Sequence, residues 1–89
     1  MTNTFLPKDV WTEVFVGVTA QTFHLTNYPD IARSRSYKIN CGDVMPAIDS
    51  DEFLYYPMRS TNEHLVVLNN ITPTNVYIMP LYDDGHIIY

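Results

Sequence analysis

The sequence predicts an all-β fold, a small antiparallel β-sandwich or barrel of about six to seven short strands. Three observations lead there. Apolar runs of strand length recur at residues 13–18, 22–26, 36–40, 52–56, 63–69, 75–79 and 86–89. Between them stand clusters of turn formers: Asn27-Tyr28-Pro29-Asp30, Cys41-Gly42-Asp43, Arg59-Ser60-Thr61-Asn62, Asn69-Asn70 with Pro73, and Asp83-Asp84-Gly85. Inside the runs, Phe23 and Leu25 alternate with His24 and Thr26, and Tyr37 and Ile39 with Lys38 and Asn40, the period of strands wet on one face.

Taken in order, the chain opens on an ambiguous segment. Val10, Trp11, Val14, Phe15 and Val18 keep helical spacing, whereas Val14, Val16 and Val18 keep strand spacing. The valines and Gly17 favour a strand over 14–18, and Pro7 suits one helical turn reaching Trp11. Residues 1–11 are therefore expected to form an N-terminal arm ahead of a single β domain over 12–89. Phe5 and Leu6 precede the first strand, so removing residues 1–6 is expected to leave the fold intact and weaken contact with a neighbour. Leu65-Val66-Val67-Leu68 is apolar at every position, which predicts a central strand covered on both faces with Leu65 and Val67 in the core. Residues 75–79 have the same character, and 69–74 is short enough to join the two as a hairpin. Asp84-Gly85 is a tight-turn signal that would fold Leu81-Tyr82 back on His86-Ile87-Ile88. Pro46, Pro57 and Pro80 mark sheet edges or strand ends.

Composition narrows the function. A chain of 89 residues, 46% hydrophobic and 17% charged, is one ordered domain with a thin core. Seven tyrosines, four phenylalanines and one tryptophan are too many bulky groups for that core alone, so some are expected on contact surfaces and a homo-oligomer is expected. The formal charge of -5 repels phosphate backbones, which argues against nucleic acid. Arg33, Arg35 and Lys38 around Tyr37 read as a solvated face rather than a phosphate site. A single cysteine, Cys41, allows no internal disulfide and no cysteine-based zinc cluster, as expected of a protein kept in a reducing cytosol or in a particle assembled there. The polar residues 1–3 and the lack of any apolar run of ~18 residues lead us to expect neither a signal peptide nor a membrane helix.

No pattern carries catalysis. Cys41 with His24, His64 or His86 lacks any local motif, and Cys41 precedes a turn rather than a helix start that would activate it. The histidines lack metal-ligand spacing. Asp43, Asp49, Asp51 and Glu52 offer hard oxygens, but counting from Asp49 the calcium-loop pattern meets Leu54 where glycine is required and Ser60 where glutamate is required. The stretch reads as a solvated acidic loop. Gly17, Gly42 and Gly85 are too scattered for a phosphate loop, and Asn70-Ile71-Thr72 matches a glycosylation acceptor by chance. No cofactor, metal or catalytic residue is assigned. What remains is contact material: Phe5, Leu6 and Trp11; Tyr55, Tyr56 and Met58 around Pro57; and Tyr82 with Met79 and Leu81 around Pro80.

The stretch Phe53-Leu54-Tyr55-Tyr56-Pro57-Met58-Arg59-Ser60-Thr61-Asn62-Glu63-His64-Leu65-Val66-Val67-Leu68 resembles the strand-turn-strand segment of small tailed-phage virion proteins, in which an aromatic strand leads through an Arg-Ser-Thr turn into a Val-rich strand. Asn27 after residues 23–26, and Asn69-Asn70 before Val76-Tyr77-Ile78, are similar to the asparagine-ended strands of such proteins. The resemblance implies a non-enzymatic β-protein of the virion, assembled in the host cytoplasm, that decorates a capsid or joins a head, tail or fibre by binding capsid or neighbouring subunits. The chain departs from the pattern in its few glycines and its acidic loop. The alternative is a small acidic inhibitor or adaptor that binds a host protein, since a compact negative domain can occupy a site evolved for nucleic acid.

Overall fold

A computed structural model of the chain describes residues 2–26, 35–51, 53–58, 63–81 and 84–89. Six strands, β1 (Asn3–Leu6), β2 (Thr12–Thr26), β3 (Arg35–Gly42), β4 (Leu54–Met58), β5 (Glu63–Leu81) and β6 (Gly85–Ile88), form one antiparallel sheet in the order β1-β6-β2-β5-β3-β4. The all-β expectation stands, and no helix occurs among the described residues.

The seven apolar runs fall on five strands, two of them longer than expected, and β1 is a sixth that no run marked. The runs at 13–18 and 22–26 fuse into the 15-residue β2, because Thr19, Ala20 and Gln21 do not break it. The ribbon of β2 and β5 instead absorbs its curvature at irregularities. Gly17 has φ of 64°, a conformation that costs glycine little, and its N–H donates to Asn75 Oδ1 at 3.0 Å. Register shifts fall between Glu13 and Phe15, Phe15 and Val18, and Val18 and Ala20.

The expected hairpin over 69–74 does not form. Residues 65–68 and 75–79 belong to one 19-residue strand, β5, that runs along β2 from Glu63 to Ile78. Val18 pairs with Thr74 and Ala20 with Asn69, so Thr19 alone stands against residues 70–73, which bulge out of the ladder. Pro73 lacks the N–H that a regular ladder position there would require. The turn formers at 69–74 thus make a bulge in one strand and not the reversal expected of a hairpin.

Likewise, Asp84-Gly85 does not fold the end of the chain back on Leu81. β6 crosses over to pair with β1 (Phe5 with His86) and with β2 (Leu25 with Ile87). Gly85 is required by a close approach: a Cβ there would run into the Tyr37 hydroxyl and lie 2.7 Å from its Cζ. The Tyr37 hydroxyl donates to the Thr26 carbonyl at 3.1 Å, tying β3 to the end of β2.

Inward-facing Leu6, Phe15, Phe23, Leu25, Tyr37, Ile39, Val66, Leu68, Val76, Ile78 and Ile87 form the main core. The opposite face of the second half of β5 makes a smaller cluster of Tyr77 and Met79 with Trp11, whose indole Nε1 donates to the Ala47 carbonyl at 2.9 Å. Residues 76–79 are therefore covered on both faces. Residues 65–68 are not: Val66 and Leu68 are buried, while Leu65 is 52% and Val67 64% exposed.

The N-terminal arm is also corrected. Asn3–Leu6 is an edge strand, Leu6 is fully buried, and residues 8–10 make a turn with Asp9 at φ 62° in place of the helical turn. The Asp9 N–H donates to the Pro80 carbonyl at 3.0 Å, latching this turn onto the end of β5. Removing residues 1–6 would thus strip a strand and a core leucine.

Two leucines in one strand test this placement. Leu68→Ala is expected to cost ~2–5 kcal/mol and Leu65→Ala within about 0.5 kcal/mol, measured by urea denaturation in dilute solution. Equal losses would mean that the strand's faces are wrongly assigned. Gly85→Ala is expected to cost ~1–3 kcal/mol by overpacking against Tyr37, and an unchanged melting temperature would contradict that contact.

Candidate functional site

The functional candidate is built by the way β5 changes partners. Along residues 75–81 one edge is flanked by β3, with Asn75 opposite Gly42 and Leu81 opposite Ser36, and the other by β2 as far as Ile78 opposite Thr12. Beyond the bulge, residues 63–69 keep β2 on one side, from Thr26 opposite Glu63 to Ala20 opposite Asn69. Among the described residues, no strand pairs with the other side.

Where β5 parts from β3 a groove of about 680 Å³ opens, lined by Ile39, Asn40, Cys41, Phe53, Val67, Leu68, Asn69 and Asn70. A second hollow of about 400 Å³ adjoins it through Cys41, Asn69 and Asn70. Val67 faces outward and Leu68 inward, yet both border the groove. What it lays open is the strand edge between them. No charged residue is among its described lining; Lys38 Nζ sits 4.4 Å from the centroid of the Phe53 ring, where a cation is attracted by the ring face.

Two polar groups in the groove are imperfectly served. Burial pushes the Cys41 thiol above its ordinary pKa, and the Asn70 side chain opposes that rise more weakly. Asn70 Nδ2 itself is shielded from solvent and meets no acceptor in hydrogen-bonding geometry. The amide is therefore near enough to the thiol to be felt and too poorly aligned to be satisfied, which leaves a donor at the groove wall that costs free energy until an acceptor reaches it.

The residues singled out from sequence are scattered. Leu6 and Trp11, 0% and 3% exposed, fill the chain's own core rather than an external contact. Phe5 is exposed beside His86, ring centroids 5.6 Å apart and edge-on, and His86 Nδ1 lies 3.1 Å from Asn3 Oδ1. Tyr55, Tyr56 and Met58 are on β4, opposite Lys38, Tyr37 and Arg35, where the backbone alone is described. Tyr82 lies outside the described residues. Asp43, Asp49 and Asp51 are exposed and Glu52 is outside the described residues; among the described residues no three His, Cys, Asp or Glu side chains are grouped to hold a metal ion. Sequence reasoning missed Leu65 and Val67 as surface residues. The signal available was their alternation with Val66 and Leu68, masked because all four are apolar.

No protein-family model, curated protein or solved structure matches the chain.

The raised Cys41 pKa has a definite consequence. Thiolate is disfavoured in the folded state, so the stability this contributes is present below the unfolded thiol pKa and is lost as pH rises through the higher folded value. Cys41 is exposed, so iodoacetamide is expected to reach it, with a reactivity midpoint shifted upward by the partial desolvation of its thiol. A midpoint at or below that of a short cysteine peptide would contradict that direction.

Proposed function

We propose that the chain is a non-enzymatic structural component of a phage virion, a partly open β-barrel or sandwich that binds capsid or neighbouring subunits through its sheet edge and outer face. One observation carries this reading: among the described residues the 63–69 edge of β5 is open along a groove without a charged lining residue, with Leu65 and Val67 exposed beside it. An apolar strand edge of this length is what assembling β-proteins use to join one another and what solitary ones cover. Phe5, exposed on the β1–β6 edge, adds a second apolar point on the same kind of surface. The resemblance of residues 53–68 to virion strand-turn-strand segments supports the same assignment.

The charge of -5 favours a second reading, an acidic inhibitor or adaptor of a host protein. The two differ in where the chain is found. Gradient-purified virions of the phage whose genome encodes it are expected to contain the chain at a fixed copy number relative to the major capsid protein, by quantitative mass spectrometry. Its absence from particles, with recovery in a soluble complex that dissociates as salt is raised, would overturn the virion reading in favour of the inhibitor.

A further inference from the structure

We propose that residues 63–69 of β5 pair antiparallel with the same residues of a second copy of this chain, about a two-fold axis at Val66, so that the two sheets continue into one. The inference deepens the assembly reading above and rests on it only in taking this edge for a contact.

Natural sheets guard their edges with lysine, proline, bulges or very short strands. The other ends of this sheet are so guarded: β1 has four residues and β4 carries Pro57. Residues 64–69, His-Leu-Val-Val-Leu-Asn, contain no lysine, arginine, carboxylate or proline. Their pairing with β2 runs without a register shift, since the shifts are confined to the first half of β2. Among the described residues this is the long regular edge without a guard.

A second copy satisfies the face parity of the strand. Residues directly opposite one another across an antiparallel pair share a face, so a sheet that continues into a second copy must pair inward residues with inward ones. An axis at Val66 does this over all seven residues. It sets buried Val66 opposite the partner's Val66, and sets Leu65, exposed in the single chain, opposite the partner's Val67 and Val67 opposite the partner's Leu65. The four exposed side chains become two aliphatic cross-strand pairs, the unit by which sheets are stabilised. Glu63 stands opposite the partner's Asn69 rather than opposite its own copy, so like charges do not meet at the ends. The groove has a part in the same arrangement. Positions 67–69 receive the first residues of the partner's strand where the groove opens. Two chains of charge -5 repel at long range, so this contact tightens as salt rises, whereas a complex held by opposite charges loosens.

Sedimentation velocity over a concentration series tests the proposal, with the full chain and with a Leu65→Lys/Val67→Lys double variant. Both side chains are solvent-exposed in the single chain, and lysines brought opposite lysines are expected to weaken the dimer by roughly 100-fold or more. A second measurement fixes the register and does not depend on the double variant folding. In a Cys41→Ser background, Leu65→Cys and Val67→Cys chains are mixed and oxidised, and the mixed disulfide is expected to form ahead of either like-with-like disulfide. A chain that stays monomeric to about 0.5 mM, a dimer untouched by the two lysines, or oxidation without preference for the mixed pair would overturn the proposal. The two readings fail separately: a monomer found at fixed copy number in virions sinks self-pairing alone, and a dimer of the stated register absent from virions sinks the virion assignment alone.

Discussion

The fold turns on Tyr37. Its phenol crosses the core from β3, packs under Gly85 at the start of β6 and donates its hydroxyl to the Thr26 carbonyl at the end of β2. These elements are not neighbours in the sheet order, in which β5 separates β3 from β2 and β6 lies beyond β2. A flat sheet could not bring them together. The side chain therefore sets how far the sheet curls, and it does so from a fully buried position in which its one polar atom must find a partner. A larger residue at 85 would hold the two halves apart; a smaller one at 37 would leave a void in the middle of a thin core.

The curl has to be absorbed by the backbone, and the long ribbon of β2 and β5 does this in one zone. Gly17, in the left-handed region, and the unpaired stretch 70–73 lie on facing strands within the span where the register shifts. Bulges increase local twist and bend a strand. Here they bend the first half of β5 while it stays with β2, and because β3 ends at Gly42 opposite Asn75, that half has the groove and, among the described residues, an edge without a strand beside it.

Much of this was legible in the sequence and some was not, for physical reasons that differ by element. Period-two alternation at 23–26 and 36–40 located β2 and β3 because apolar and polar residues there mark opposite faces. At 65–68 and 76–79 both faces are apolar, and local pattern cannot say which will be covered. Trp11, held by Ala47, and Met79 with Tyr77 close one stretch on its second face; no such cover is described over Leu65 and Val67. That difference is tertiary. The asparagine and proline at 69–73 and Asp84-Gly85 signalled departures from regular pairing, but a bulge, a crossover and a reversal draw on the same residue types. Leu6 looked like part of an arm because four residues are too few to read as a strand, and only its pairing opposite Gly85 makes it core. The contact residues followed suit: of those drawn from aromatic content, Leu6 and Trp11 proved structural, and the open edge was found through pairing, which a sequence does not display.

A protein of this size has little stability to spare, and an open apolar edge is retained at some risk of aggregation unless a partner covers it. The assembly reading and the self-pairing of β5 take as their frame a sheet curled as Tyr37 dictates, in which β3 ends at Gly42 opposite Asn75 and so leaves the 63–69 edge of β5 without it. Nuclear Overhauser contacts between the Tyr37 ring protons and the Gly85 α-protons measure that curl most directly. Strong contacts, with one Gly85 α-proton displaced by the ring current of Tyr37, are the result expected. Gly85 α-protons at random-coil shifts with no contact to Tyr37 would contradict the account at its centre.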